Sequence, residues 1–141
     1  MNKNKKIMKK FLIIFLSIIL FFYVLTLVND WFYSIWWIDT PMHLAGGAWT
    51  ALFAIYIYNK YFDFQKNKLI FKLIVILSSV ALIGVFWEFY EFIMDVVILK
   101  KYLFYNEPGY ILFDTLKDLF NDLVGALIAF IFYFKMSQNQ K

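Results

Sequence analysis

Eighteen consecutive residues without a charge, Phe11 to Val28, set the first limit on what this chain can become. A helix of that length and apolarity can cross the ~30 Å hydrocarbon core of a bilayer. Three further runs follow it: Pro41 to Asn59, a run from Leu69 whose uncharged centre is Leu73 to Trp87, and a run from about Asp118, or as early as Asp114, to Lys135. The expectation is an all-α, polytopic membrane protein: a single transmembrane domain over residues 1–141 with four transmembrane helices near 8–28, 41–59, 69–97 and 114–135. Composition agrees, because hydrophobic residues make up 63% of the chain and charged residues 17%. A soluble domain of this size could not bury that much apolar surface, and a disordered chain would not carry it. With no cysteine, disulfides, thiolate nucleophiles and thiolate metal sites are excluded. The formal net charge of +4 comes from lysines that form no stripe, so a nucleic-acid partner is not expected.

Lysine placement sets the expected orientation. Lys3, Lys5, Lys6, Lys9 and Lys10 precede the first run, Lys60, Lys66, Lys68 and Lys72 surround the second connection, and Lys135 and Lys141 close the chain. Positive loops stay in the cytoplasm, so both termini are expected there, with the protein in a bacterial inner membrane. No small-x-small cleavage site follows the first run, which reads as an uncleaved helix rather than a signal peptide. Trp31, Phe32, Tyr33, Trp36 and Trp37 read as an interfacial aromatic belt in the first outer loop. Thr40 and Pro41 suit the N-cap and first position of the second helix. Lys72 is expected to snorkel to the inner surface, and Asn106 to Gly109 to form a tight turn.

The acids are not scattered. Asp39, Glu88, Glu91, Asp95, Asp114, Asp118 and Asp122, with the sole histidine, His43, all fall at the outer ends of the second, third and fourth runs. Each set recurs at three to four residues and so lies on one helix face: Asp39, His43, Gly46 or Gly47, and Thr50; Ala81, Gly84, Glu88, Glu91 and Asp95; Asp114, Asp118, Asn121 or Asp122, Gly125 and Ala129. The first run contributes no acid. Counted from the lysine that ends each helix, His43, Glu88 and Asp118 share one level roughly 25 Å up, with Asp122 about a turn deeper. Asp39, Asp95 and Asp114 read as solvated helix-end charges, Asp114 placed to cap the fourth helix. Lys117 reads as lying off the acidic stripe, so it is not expected to neutralise the deeper acids. A charge at membrane depth costs at least ~2.5 kcal/mol, and acids there are functional by default. They persist by sharing protons, by binding a hard divalent cation, or by hydrogen-bonding a polar headgroup. His43, Glu88, Glu91, Asp118 and Asp122 are the candidate metal ligands, and His43, Glu88 and Asp118 the candidate catalytic groups.

The order Asp39-x-x-x-His43-x-x-x-Gly47, Glu88-x-x-Glu91 and Asp114-x-x-x-Asp118-x-x-x-Asp122-x-x-Gly125 resembles the YjdF-type bacterial inner-membrane proteins, and more distantly the VanZ-like proteins. The resemblance covers Trp36 to Ala129 and implies a small helical membrane protein without assigning a reaction. Thr40 stands where that pattern has a base, and Glu91 and Asp122 stand where VanZ-like chains tend to have Gln and Asn. Those departures make the site more acidic, so a phosphate would need a bridging cation.

Three functional classes stay open: a cell-envelope enzyme or lipid-headgroup-binding protein, a structural or accessory protein whose acids bind cations or a partner, and a proton- or cation-coupled transporter. The expected partners are the bilayer and an envelope lipid or lipid-linked headgroup. The expected cofactor is at most a divalent metal ion, and an oligomer is allowed. Reporter fusions test the orientation: a fusion at Tyr105 should be extracytoplasmic and one at Gln140 cytoplasmic, and the reverse pattern would overturn it.

Overall fold

The computed structural model describes residues 3–62, 64–98 and 110–138. Each apolar run becomes a helix. Helix α1 is Lys3–Val28; a single turn, α2, is Trp31–Ser34; α3 is Asp39–Tyr61; α4 is Leu69–Phe92; and α5 is Tyr110–Gln138. A 3-10 turn at Phe64–Lys66 links α3 to α4, and a π-helical stretch, Ile93–Ile98, extends α4. No strand occurs among the described residues. The expected turn at Asn106 to Gly109 lies outside them.

Three helical segments are long and apolar enough to cross a membrane: Lys5–Val28, Leu69–Ile98 and Ile111–Ser137. Helix α3 is not among them, although its 23 residues would span ~35 Å. Its middle is rich in small residues, Gly46, Gly47, Ala48, Thr50, Ala51 and Ala54, which add little to its hydropathy. The packing explains that composition. Helix α3 contacts α1, α4 and α5, so much of its surface meets protein rather than solvent or lipid.

Small residues set how near those neighbours come. A Cβ built on Gly47 would overlap the backbone carbonyl of Asp122, and one built on Gly125 would overlap the backbone carbonyl of Leu44. Helices α3 and α5 therefore touch backbone to backbone, through one glycine from each. Below that contact the interior is apolar, with Ala51, Ile55, Ile76, Val80, Ala126 and Phe130 among its buried residues. Polar ties add to the packing. Trp49 Nε1 donates to the Leu12 carbonyl at 2.9 Å, joining α3 to α1, and Asn59 Nδ2 donates to Tyr133 Oη at 3.2 Å, joining α3 to α5.

Three local expectations are corrected. Helix α3 starts at Asp39 with Ile38 in the capping position and no side-chain cap, so Thr40 is not the N-cap and Pro41 is the third helical residue. The first four backbone N–H groups of a helix have no intrahelical partner, so proline sacrifices nothing there. Helix α5 is already helical at Tyr110, which places Asp114 inside it rather than at a cap. Lys72 does not reach outward. It is buried, with Nζ 5.0 Å from the centroid of the Phe134 ring, because an aromatic face offers a lysine near a helix end an alternative to solvent.

The glycine seam makes a direct prediction. Gly47→Leu and Gly125→Leu should each destabilise the protein by about 3 kcal/mol or prevent folding, since backbone must move to admit the side chain. Gly46→Ala should be tolerated, because a Cβ there meets nothing nearer than Asp122 Oδ1 at 3.9 Å. Thermal unfolding in detergent checks both expectations.

Candidate functional site

Above the glycine contact the seam carries charge. The α3 stripe places His43 one turn before Gly47, and the α5 stripe places Asp122 and Asp118 one and two turns before Gly125. Backbone contact at the glycines presses these side chains together. His43, Asp118 and Asp122 are all buried, as is Thr50. Helix α4 adds Glu88 and Glu91 from its neighbouring face. It can approach because Gly84 has no side chain; a Cβ there would lie 2.8 Å from Asp122 Oδ2.

His43 is the hub. Its Nε2 lies 3.4 Å from Asp39 Oδ1, 3.9 Å from Glu91 Oε2 and 4.0 Å from Asp118 Oδ2. Its Nδ1 lies 3.4 Å from Asp122 Oδ1. Three helices thus aim carboxylates at one ring nitrogen, and a fourth carboxylate faces the other. His43, Glu88 and Asp118 also have ligand atoms within 4.8 Å of one another. All five site residues expected from the sequence, His43, Glu88, Glu91, Asp118 and Asp122, are brought together.

Two roles differ from expectation. Asp39 is no solvated helix-end charge; its carboxylate faces both His43 and Lys117. Lys117 is the larger correction. Its Nζ lies 2.6 Å from Asp114 Oδ1, 3.4 Å from Asp118 Oδ1 and 3.7 Å from Asp39 Oδ2, so it joins the cluster that its helical position seemed to exclude. A long side chain on a helix leans toward the preceding turn, which carries the Lys117 ammonium back to Asp114. The first helix also contributes. Tyr23 of α1 packs edge-on to Trp87 at 5.6 Å between centroids and against Phe32 of α2 at 5.9 Å. Tyr23, Phe32, Trp36 and Tyr90 line a cavity of about 190 Å³ whose acidic lining includes Asp39, Glu88, Glu91, Asp95 and Asp114.

Three acid-containing sets have the compactness to hold a cation: Asp39, His43 and Glu91; His43, Glu88 and Asp118; and Asp39, Asp114 and Asp118. The third already contains the Lys117 ammonium. Each of the two that share His43 has one carboxylate that also faces Lys117, Asp39 in the first and Asp118 in the second. Glu88 Oε1, in one of these, is buried without a hydrogen-bond partner. Ligand atoms about 2.0–2.6 Å from a divalent cation lie no more than ~4–5 Å apart, which matches the spread of these atoms.

Fold and site together define a small helical membrane protein with an acid-and-histidine cluster between three of its helices. The sequence profile of a family described as "predicted membrane protein (DUF2238)" matches residues 4–139, and the chain belongs to that family, which is the YjdF-type family. No curated protein and no solved structure matches the chain.

Lys117→Met should destabilise the protein by about 1–3 kcal/mol, because three carboxylates then lose their shared ammonium. Millimolar Mg²⁺ should restore part of the loss. Unfolding temperatures of the variant with and without Mg²⁺ measure both effects.

Proposed function

We propose that this protein binds a divalent cation at His43 and its surrounding carboxylates, and uses it to hold the headgroup of an envelope lipid. The observation that carries this reading is the surroundings of the imidazole. Nε2 faces Asp39, Glu91 and Asp118, while Nδ1 faces Asp122. A metal-bound histidine commonly donates its other ring N–H to a carboxylate, which fixes the tautomer and raises ligand basicity. Asp122 occupies that supporting position, whereas Asp39, Glu91 and Asp118 occupy the ligand positions. One imidazole among carboxylates suits Mn²⁺ or Zn²⁺ better than an all-oxygen site would.

Among the described residues Lys117 is the one lysine in the cluster, so an anionic headgroup there is held better with the cation as its bridge. The cation would supply positive charge to the oxyanion, and the aromatic wall of Tyr23, Phe32 and Trp36 would shield the head from bulk water. In the catalytic form of this reading, Glu88 is the proton-transfer group. Its free Oε1 lies beside the ligand set, and a carboxylate there serves as acid or base. We place the site at the outer leaflet of a bacterial cell membrane, with α3 as a fourth span shielded by its neighbours and both termini in the cytoplasm. The likeness of the acid pattern to VanZ-like envelope proteins accords with that placement.

One observation favours the accessory-protein reading. Lys117 hydrogen-bonds Asp114 and also faces Asp39 and Asp118, so the protein's own ammonium offsets part of the rim's charge. The transporter reading draws no comparable support, since the other half of the bundle is filled by Ile55, Ile76, Phe130 and Phe134.

Titration calorimetry with Mn²⁺, Zn²⁺, Mg²⁺ and Ca²⁺ separates these readings. Binding of Mn²⁺ or Zn²⁺ should raise the unfolding temperature. His43→Gln and Glu91→Gln should abolish that binding, and Asp122→Asn should weaken it by about 10–100-fold. Affinity should fall on acidification, because every ligand must shed its proton to bind. If none of the four cations binds while Lys117→Met destabilises the fold, the accessory reading replaces the one proposed.

A further inference from the structure

We infer that the headgroup held at His43 belongs to an amphiphile whose hydrocarbon chain lies in a groove between α1 and α4; this rests on the headgroup reading above. A second cavity, of about 230 Å³, runs along α3 beneath the acidic one. Leu16 and Leu20 of α1 form one wall, Val80 and Ile83 of α4 the other, and Gly46 part of the floor. At its polar end the groove reaches His43, Glu91 and Asp122. Tyr23, Phe32, Asp39 and Glu91 line both cavities, so the polar chamber and the apolar groove adjoin.

Position names the occupant. Both walls belong to helices long and apolar enough to cross a membrane. An apolar gap between two such helices lies at bilayer depth, where hydrocarbon rather than water fills it. A ligand matching this groove must be polar at the His43 end and apolar along its length, which describes a lipid and not a free anion or a water-soluble peptide.

Gly46 supplies a second observation. The other three described glycines, Gly47, Gly84 and Gly125, each sit where a Cβ would press on a neighbouring atom. At Gly46 a Cβ would meet only Asp122 Oδ1, at the ordinary contact distance of 3.9 Å. Helix packing does not require glycine there. Its effect is to keep the groove floor open directly below the imidazole.

The test uses the full chain, purified in detergent with Mn²⁺, and a long-chain alkyl phosphate bearing a diazirine near the chain end. Photolabelling should map to Leu16, Leu20 and Ile83 and be competed by unlabelled alkyl phosphate. Gly46→Leu should cut that labelling by about tenfold, the loss expected when roughly two methylenes can no longer be buried. Ile83→Trp, which blocks the opposite wall, should do the same and covers the case in which Gly46→Leu fails to fold. Labelling spread over the outward faces of α1, α4 and α5, indifferent to competitor and to both variants, would overturn the inference. Competed, variant-sensitive labelling that ignores Mn²⁺ would uphold the groove and remove the cation. Cation binding with dispersed labelling would uphold the cation and remove the groove.

Discussion

Backbone contact between α3 and α5, made through Gly47 and Gly125, determines where every charged group in this protein can go. The two glycines sit against the backbone carbonyls of Asp122 and Leu44, nearer than any side chain would permit. In lipid, helices gain little from burying apolar side chains against one another, so close packing of small residues carries much of their association. Once that contact is made, His43 lies one turn from it on α3 and Asp122 and Asp118 lie within two turns on α5. The carboxylates then have no route away from the imidazole. The cluster is a consequence of the seam, and its cohesion rests on packing that contains no charge.

That geometry sets an electrostatic problem with a partial internal answer. Among the described residues, seven carboxylates collect at one end of the bundle, against the Lys117 ammonium and one imidazole. Lys117 settles the rim by bridging Asp114, Asp118 and Asp39. Deeper in, where His43 meets Glu88, Glu91 and Asp122, the imidazole is the one basic group in ion-pair contact among the described residues. A proton on His43 would let both ring nitrogens donate to carboxylates. A divalent cation at Nε2 would leave Nδ1 donating to Asp122 and bring two positive charges to the acids that need them. The second arrangement accounts for why carboxylates converge on Nε2 from three separate helices. It also gives the adjoining cavity and groove an occupant with a polar head and an apolar chain.

Much of this was legible in the sequence, for reasons of period and composition. The acids and small residues recur at helical spacing, so Asp39, His43 and Gly47 on one helix and Asp118, Asp122 and Gly125 on another had to share faces. Charges within apolar runs have few stable places except an interior, which marked Glu88, Glu91 and Asp122. Lys117 escaped because spacing locates a Cα, whereas a long side chain carries its charge back toward Asp114. Lys72 escaped in the same way, turning to the Phe134 ring instead of solvent. Tyr23 and the groove could not be read at all. Helix α1 has no acid and no small-residue stripe, and its part in the site follows from how it leans on α3 through Trp49 and Leu12. The start of α3 was misjudged because a Thr-Pro pair fits a helix entry, yet proline is accommodated anywhere in the first turn.

Electron spin-echo modulation of Mn²⁺ bound to the purified protein tests the central claim most directly, because it reports whether imidazole nitrogen coordinates the ion. The account predicts one coordinated histidine nitrogen in the wild-type protein, absent in His43→Gln and retained in Lys117→Met. A bound Mn²⁺ with no nitrogen coupling, or a coupling that survives His43→Gln, would contradict it.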